Sequence, residues 1–284
     1  MKPSSIIVLK TLLNKATNSK KLLEFLPDNE KKEILDLDQT AFFSVDDFNI
    51  ERILNNVHYS WLYATLFSLE DSSDAHILMS ALSFSIQDKL KKALEISHKP
   101  VELSQFAKHY CLLVFLGSLL GEADTLLPKN YLPFSEMNIL LELSKVELIK
   151  LIDFLALFDV AVDLKKMVDT KSIKLINSSL SSEQKQFLKK ISSYQEPYSF
   201  APLLSEWDKT EEQFHKILHK RGLNRLGFAL CLSHPDLIWY ITHFLDSGRG
   251  NSLIKFSEKK ISAKVVHHIR AQVLEIINFI RKSR

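Results

Sequence analysis

Glycine, proline and cysteine are scarce in this chain: 6, 8 and 2 of 284 residues. So few turn formers leave little material for the close-set turns of a β-sandwich or β-barrel. The two cysteines, Cys111 and Cys231, sit far apart in apolar runs, which fits buried thiols of a reducing compartment better than a disulfide framework. Neither sign of charge dominates, because 37 Lys and Arg face 34 Asp and Glu for a net +3. No chain-wide attraction to nucleic acid follows. The most apolar run, YCLLVFLGSLLG from Tyr110 to Gly121, is shorter than the roughly 20 residues a bilayer span needs. The N-terminal MKPSSIIVLKTLLNKATNSKK is broken by Lys10 and Lys15 and carries no small-residue cleavage pattern, so no signal peptide is expected. These absences together point to a cytoplasmic protein. No Gly-x-x-x-x-Gly-Lys-Ser/Thr occurs, which removes the phosphate loop from consideration.

What is present is apolar and helical in its spacing. Hydrophobic residues make up 46% of the chain, ample for a core. They recur at three and four residues, as in Leu148, Leu151, Ile152 and Leu155, which is one face of a helix. Ser144-x-x-Glu147, Ser181-x-x-Gln184 and Thr210-x-x-Gln213 are capping-box patterns that satisfy orphan amides at helix starts. Pro100 and Pro235 suit first turns, where a missing N–H goes unnoticed. Leu82-Ser83, Leu143-Ser144 and Leu180-Ser181 repeat one theme, an apolar residue followed by a cap. The expectation is an all-α protein of armadillo- or HEAT-like helical repeats and right-angled bundles in two subdomains. Leu120 to Glu136, with Gly121, Pro128 and Pro133, is the natural break. That predicts N-terminal helices over 1–44, a helical domain over 45–121, a linker at 122–135 and a second helical domain over 136–284.

Charge is unevenly spread along this frame. Residues 207–284 carry 14 Lys and Arg against 7 Asp and Glu, while 1–206 carry 23 against 27. The last third therefore has the sign to meet an acidic partner.

The stretch VDDFNIERILNNVHYSWLYATLFSLEDSSDAHILMSALSFSIQDKLKKALE (Val45–Glu95), followed by PVELSQ (Pro100–Gln105), resembles the C-terminal armadillo-type domain of the flagellar rotor protein FliG. The shared features are an Asp-Asp opening an amphipathic helix, a Leu-rich second helix, a Ser-capped third and the Pro-Val-x-Leu-Ser-Gln approach to another. Asp46 and Asp47 match the family's acidic pair, whereas Asn55 stands where a basic charge belongs, so the resemblance implies the scaffold and not torque generation. Downstream, LIDFLALFDVAVDLKKMVDTKSIKLINSSLSSEQKQFLKKI (Leu151–Ile191) is similar to helical proteins encoded with type III secretion components in obligate intracellular bacteria. Both resemblances imply a non-enzymatic cytosolic adaptor between an inner-membrane ring and a cytoplasmic export or sorting platform. Its partners would be secretion or flagellar ring and sorting-platform proteins. Membrane contact would come only through a ring protein.

Chemistry-bearing residues concentrate in HKRGLNRLGFALCLSHPDLIWYITHFLDSGRG (His219–Gly250). His215 and His219 share a helix face at a spacing known from zinc sites, but no Glu follows the first, so the metalloprotease pattern fails. Surface histidines are the expectation. His267 and His268 are adjacent and diverge on a helix. His234-Pro235-Asp236 reads as a helix start, and Trp239 and His243 are placed to stack. No activated Ser or Cys accompanies a His–Asp pair, so no catalytic residue, metal or cofactor is assigned. DSGRG (Asp246–Gly250) reads as a turn using positive φ at its glycines. Arg221 and Arg225 share a face if one helix runs through Gly222. Arg side chains suit bidentate carboxylate pairing, which makes Arg221, Arg225 and Arg249, with Trp239, His243, Asp46 and Asp47, the expected partner-binding residues.

In SAKVVHHIRAQVLEIINFIRKSR (Ser262–Arg284) Val265, Ile269, Val273, Ile276, Ile277 and Ile280 form one face and Lys264, Arg270, Arg281 and Lys282 the other. Such a helix can enter a partner's groove or lie on a membrane; docking on its own core is the commoner fate. A helical-repeat nucleic-acid-binding protein is the alternative function. Phe228, Trp239 and Tyr240 count against it, because they lie in apolar runs and do not interleave with Arg and Lys as stacking platforms do.

Overall fold

The computed structural model describes residues 19–36, 49–67, 72–95, 99–121, 126–193 and 200–282, together with Ile6, Leu9, Lys10 and Leu13. Among them there are fifteen α-helices and no strand. Contacts divide the chain between Pro133 and Phe134 into two compact units.

The first unit holds α1 (Ser19–Glu24), α2 (Asp28–Asp36), α3 (Ile50–Asn56), α4 (Tyr59–Phe67), α5 (Ser72–Ser80), α6 (Phe84–Leu94) and α7 (Gln105–Leu120). Helices α3, α4 and α5 pack on α7 around buried Leu54, Leu62, Met79, Leu90 and Phe115. Thr65 Oγ1 and Ser118 Oγ, 2.9 Å apart, and the Lys108–Glu51 pair at 3.1 Å pin the same helices. Helix α7 contains the most apolar run because it is apolar on two faces. Cys111, Leu112, Phe115 and Leu116 are buried, while Phe106, Tyr110 and Leu113 are exposed. No helix among the described residues is long and apolar enough to cross a membrane.

One expectation here is corrected. Pro100 is not in a first turn: it lies in the extended approach to α7, whose cap is Ser104, accepting from the Ala107 amide at 3.2 Å. Of the expected linker, 122–125 lie outside the described residues; the boundary between the two units falls in the remainder, where Pro133 and Phe134 are exposed, although its first part is packed. Leu126, Leu127 and Leu132 are buried around a 3-10 turn at Lys129–Tyr131, since their apolar surface outweighs the punctuation of the two prolines.

The second unit runs from Phe134 and begins with a 3-10 helix, Glu136–Glu142. Its α-helices are α8 (Lys145–Leu155), α9 (Leu157–Lys166), α10 (Thr170–Ser179), α11 (Ser182–Ile191), α12 (Glu211–Leu230), α13 (Pro235–Phe244), α14 (Ser247–Ser257) and α15 (Ala263–Lys282). Both Ser144 and Ser181 form complete capping boxes. Thr210 caps α12 through the Gln213 amide at 3.3 Å, but the Gln213 side chain accepts from the Asp208 amide instead. Ser83, Ser144 and Ser181 all occupy N-cap positions behind buried leucines.

Helix α12 is the hub, packing on α8, α10, α14 and α15. Glycine makes two of these approaches possible. A Cβ on Gly222 would sit 1.7 Å from the Ile152 carbonyl oxygen in α8, and one on Gly227 would sit 2.4 Å from Phe256 Cβ in α14. Each glycine weakens the isolated helix by about 1 kcal/mol, which close backbone packing offsets. Beside the hub, Phe154, Phe158, Phe187 and Phe279 form an aromatic cluster with centroids 5.1–6.0 Å apart. Helix α15 docks on this core through Val266, Ile269, Val273, Ile276, Ile277 and Ile280, each worth about 1.5–3 kcal/mol of apolar burial.

Candidate functional site

Arg225, expected at a partner surface, is wholly buried, with 0% of its surface exposed. Its Nε donates to Asp159 Oδ2 at 2.7 Å and its Nη2 to Asp159 Oδ1 at 2.9 Å, while Nη1 donates to Gln272 Oε1 at 2.6 Å. The guanidinium lies 4.6 Å from the Phe200 ring centroid and 5.8 Å from that of Phe158. This is a structural tie joining α12, α9 and α15, not a docking group. One helix does run through Gly222, so Arg221 shares the inward face. Its Nη1 lies 3.7 Å from Asp159, and its Nη2 donates to the Ala201 carbonyl at 2.7 Å. Arg221 is thus mostly spent inside the protein.

His243 is buried as well. It stacks on Trp239 with centroids 4.2 Å apart, as the spacing predicts, and its Nδ1–H donates to the Trp239 carbonyl at 2.9 Å. Burial holds the imidazole neutral, lowering its pKa to about 4 against the ordinary 6.5. It is closed to a partner, and Trp239 is half-buried. Arg270, read as part of the polar face of α15, is buried and caps the end of α12. Its Nε donates to the Ala229 carbonyl at 2.8 Å and its Nη2 to that of Cys231 at 3.0 Å. A cation there also answers the helix dipole. Asp46 and Asp47 lie outside the described residues.

Arg249 alone of the expected set reaches a groove. DSGRG is not a free turn: Asp246 is the N-cap of α14, accepting from the Arg249 amide at 3.1 Å, and the following residues are helical. Between α12 and α14 lies an open groove of about 640 Å³ lined by His215, Lys216, His219, Lys220, Leu223 and Arg249, with Asp246 at its α14 end. Four side chains form a polar chain along it. Asp153 Oδ1 stands 2.6 Å from His219 Nδ1, Arg249 Nε donates to His219 Nε2 at 2.9 Å, and Arg249 Nη1 donates to Asp246 Oδ2 at 2.6 Å. An arginine Nε only donates, so His219 Nε2 accepts and the ring proton sits on Nδ1, facing Asp153. Burial pushes the Asp246 carboxyl up, but the Arg249 backbone amide, followed by the Arg249 charge and its side-chain bond, together hold it below the usual carboxylate range.

Both nitrogens of His219 are engaged, so it has no lone pair to serve as a general base. His215 turns to a different carboxylate, Glu211 at 3.6 Å, and among the described residues no group of three or more His, Cys, Asp or Glu is placed to hold a metal ion. Cys111 and Cys231 are buried free thiols whose pKa is raised by burial, the reverse of an activated nucleophile. His234 caps α13 through the Asp236 amide at 3.2 Å, the helix start that His234-Pro235-Asp236 predicts. Comparison with protein-family models, curated proteins and solved structures gives no match.

Sequence reasoning missed Asp153, Lys216 and Lys220. A signal existed for the first: Asp153 and Asp159 are lone acids inside the apolar runs LIDFL and ALFDVAV, and a charge in such a run needs an internal counter-charge.

Proposed function

We propose that the chain is a non-enzymatic adaptor whose contact with its partner is made through the α12–α14 groove. The observation that carries this is the state of His219: clamped between Asp153 and Arg249, it orders a donor surface and leaves no base for chemistry. The resemblance of residues 45–125 to the FliG C-terminal domain supports a place in a type III secretion or flagellum-like basal apparatus. There the chain would link the inner-membrane ring to the cytoplasmic export or sorting platform. Armadillo-like stacking of helix pairs in two subdomains is the architecture proposed with it, and the cytoplasm, against the inner face of the inner membrane, is the proposed location.

The test is affinity purification of the whole chain from its native cell, with and without nuclease, followed by mass spectrometry. Nuclease-resistant recovery of ring or sorting-platform proteins is expected. Recovery of nucleic acid with no protein component of such an apparatus would replace the adaptor with the nucleic-acid-binding alternative.

A further inference from the structure

Deepening the adaptor reading and resting on it, we infer that the α12–α14 groove takes an extended acidic peptide segment of the partner. The inference follows from which charges in the groove are already matched. Asp246 is held by Arg249 and by the amide it caps. Lys216 pairs with Glu212 at 2.7 Å, an exposed contact that exchanges readily. Lys220 is exposed and has no partner among the described residues. Arg249 is fixed from two sides by His219 and Asp246, which leaves its Nη2 without a partner among the described residues. The groove therefore offers one unmatched cation, Lys220, one exchangeable cation, Lys216, and the free Nη2 donor of the paired Arg249, with no unmatched carboxylate among the residues that line it.

Spacing gives the form of the ligand. Lys216 and Lys220 are one turn apart on α12, about 6 Å of helix rise. Carboxylates at alternate positions of an extended chain are about 7 Å apart, so an acidic-x-acidic segment meets both, while a third carboxylate faces Arg249. Holding the Arg249 fork rigid lowers the entropy lost when it binds. The same cations would attract phosphate, but two features favour carboxylates. Asp246 already occupies the start of α14, where a phosphate would seek backbone amides. No Phe, Tyr or Trp lines the groove to stack bases.

The probe is a fluorescent octaglutamate peptide titrated with the full chain and followed by anisotropy, alongside a single-stranded oligonucleotide of equal charge. Lys220→Glu changes an exposed residue with no structural partner, so it leaves the fold intact. Lys264→Glu, also exposed and outside the groove, makes the same change in net charge. Wild type binds the peptide with an affinity that falls as salt rises. Lys220→Glu weakens binding by roughly tenfold or more, and Lys264→Glu by less than about twofold. Equal losses in the two variants, no binding by wild type, or tighter binding of the oligonucleotide overturns the proposal. Native-cell capture of apparatus proteins that is undiminished in Lys220→Glu also overturns the groove assignment and leaves the adaptor reading standing. Capture of no apparatus protein by wild type removes the adaptor reading itself.

Discussion

Arg249 donates through Nε to Nε2 of His219 at 2.9 Å, joining the start of α14 to the middle of α12. The contact fixes the imidazole tautomer, because only a ring protonated at Nδ1 presents a lone pair to Arg249 while facing Asp153 with its proton. Nitrogen NMR of the imidazole at neutral pH should therefore report the Nδ1–H form for His219. Replacing Asp153 with Asn offers an amide donor at Nδ1, favours the other tautomer and releases Arg249. An Nε2–H ring in the wild type would contradict this geometry.

Arg225 and Asp159 form the second testable pair. Arg225→Met strips the buried Asp159 carboxylate of both its guanidinium hydrogen bonds and leaves only the Arg221 charge at 3.7 Å; loss of one partner of such a buried pair costs up to about 3–5 kcal/mol. The double variant with Asp159→Leu should recover much of that loss, since it removes the buried carboxylate and leaves Arg221 its bond to the Ala201 carbonyl. Denaturant unfolding decides: a single variant within about 0.5 kcal/mol of wild type would mean that the pair is not closed off from water.

The same pair shows how far the sequence was legible. Helical spacing, the serine caps and the docking of α15 are local or periodic properties, and all were readable in the chain. That Arg221 and Arg225 share a face was readable too. Which way that face points was not, because it depends on Asp159, 66 residues away, and on the close passage of α12 past α8 at Gly222. The local structure around Arg249 was misread. Its glycine neighbours suggested a turn, but Asp246 opens a helix there and turns the side chain toward His219.

Gly222 and Gly248 should respond in opposite senses to alanine. At Gly222 the new methyl meets the Ile152 carbonyl oxygen at 1.7 Å, whereas at Gly248 the nearest atom, Asp246 Oδ1, is 3.4 Å away. Gly222→Ala is expected to lower stability by several kcal/mol, as over-packing against backbone does. Gly248→Ala should raise it by about 0.5 kcal/mol through helix propensity and reduced chain entropy. Thermal melts of the two variants would measure both signs, and equal effects would contradict the α8–α12 contact.

His243 gives the protein an acid-sensitive core. Its pKa is about 4 in the folded state and about 6.5 in an unfolded chain, so in that window the unfolded chain binds more protons. Stability from keeping this imidazole neutral is complete above about pH 6.5 and is lost progressively as pH falls toward 4, by about 3 kcal/mol in total. Urea midpoints measured from pH 7 to pH 4 should fall less steeply in His243→Gln. Parallel profiles would show that His243 is not the group being titrated.

The most direct test of the groove as the docking site is zero-length carbodiimide cross-linking in the native cell, which joins a lysine ammonium only to a carboxylate in contact with it. The account predicts that Lys220 and Lys216 link to Asp or Glu side chains of a secretion or flagellar ring or sorting-platform protein, and that Lys255 and Lys264, exposed but outside the groove, do not. Cross-links spread evenly over the exposed lysines, or none to any such protein, would contradict it.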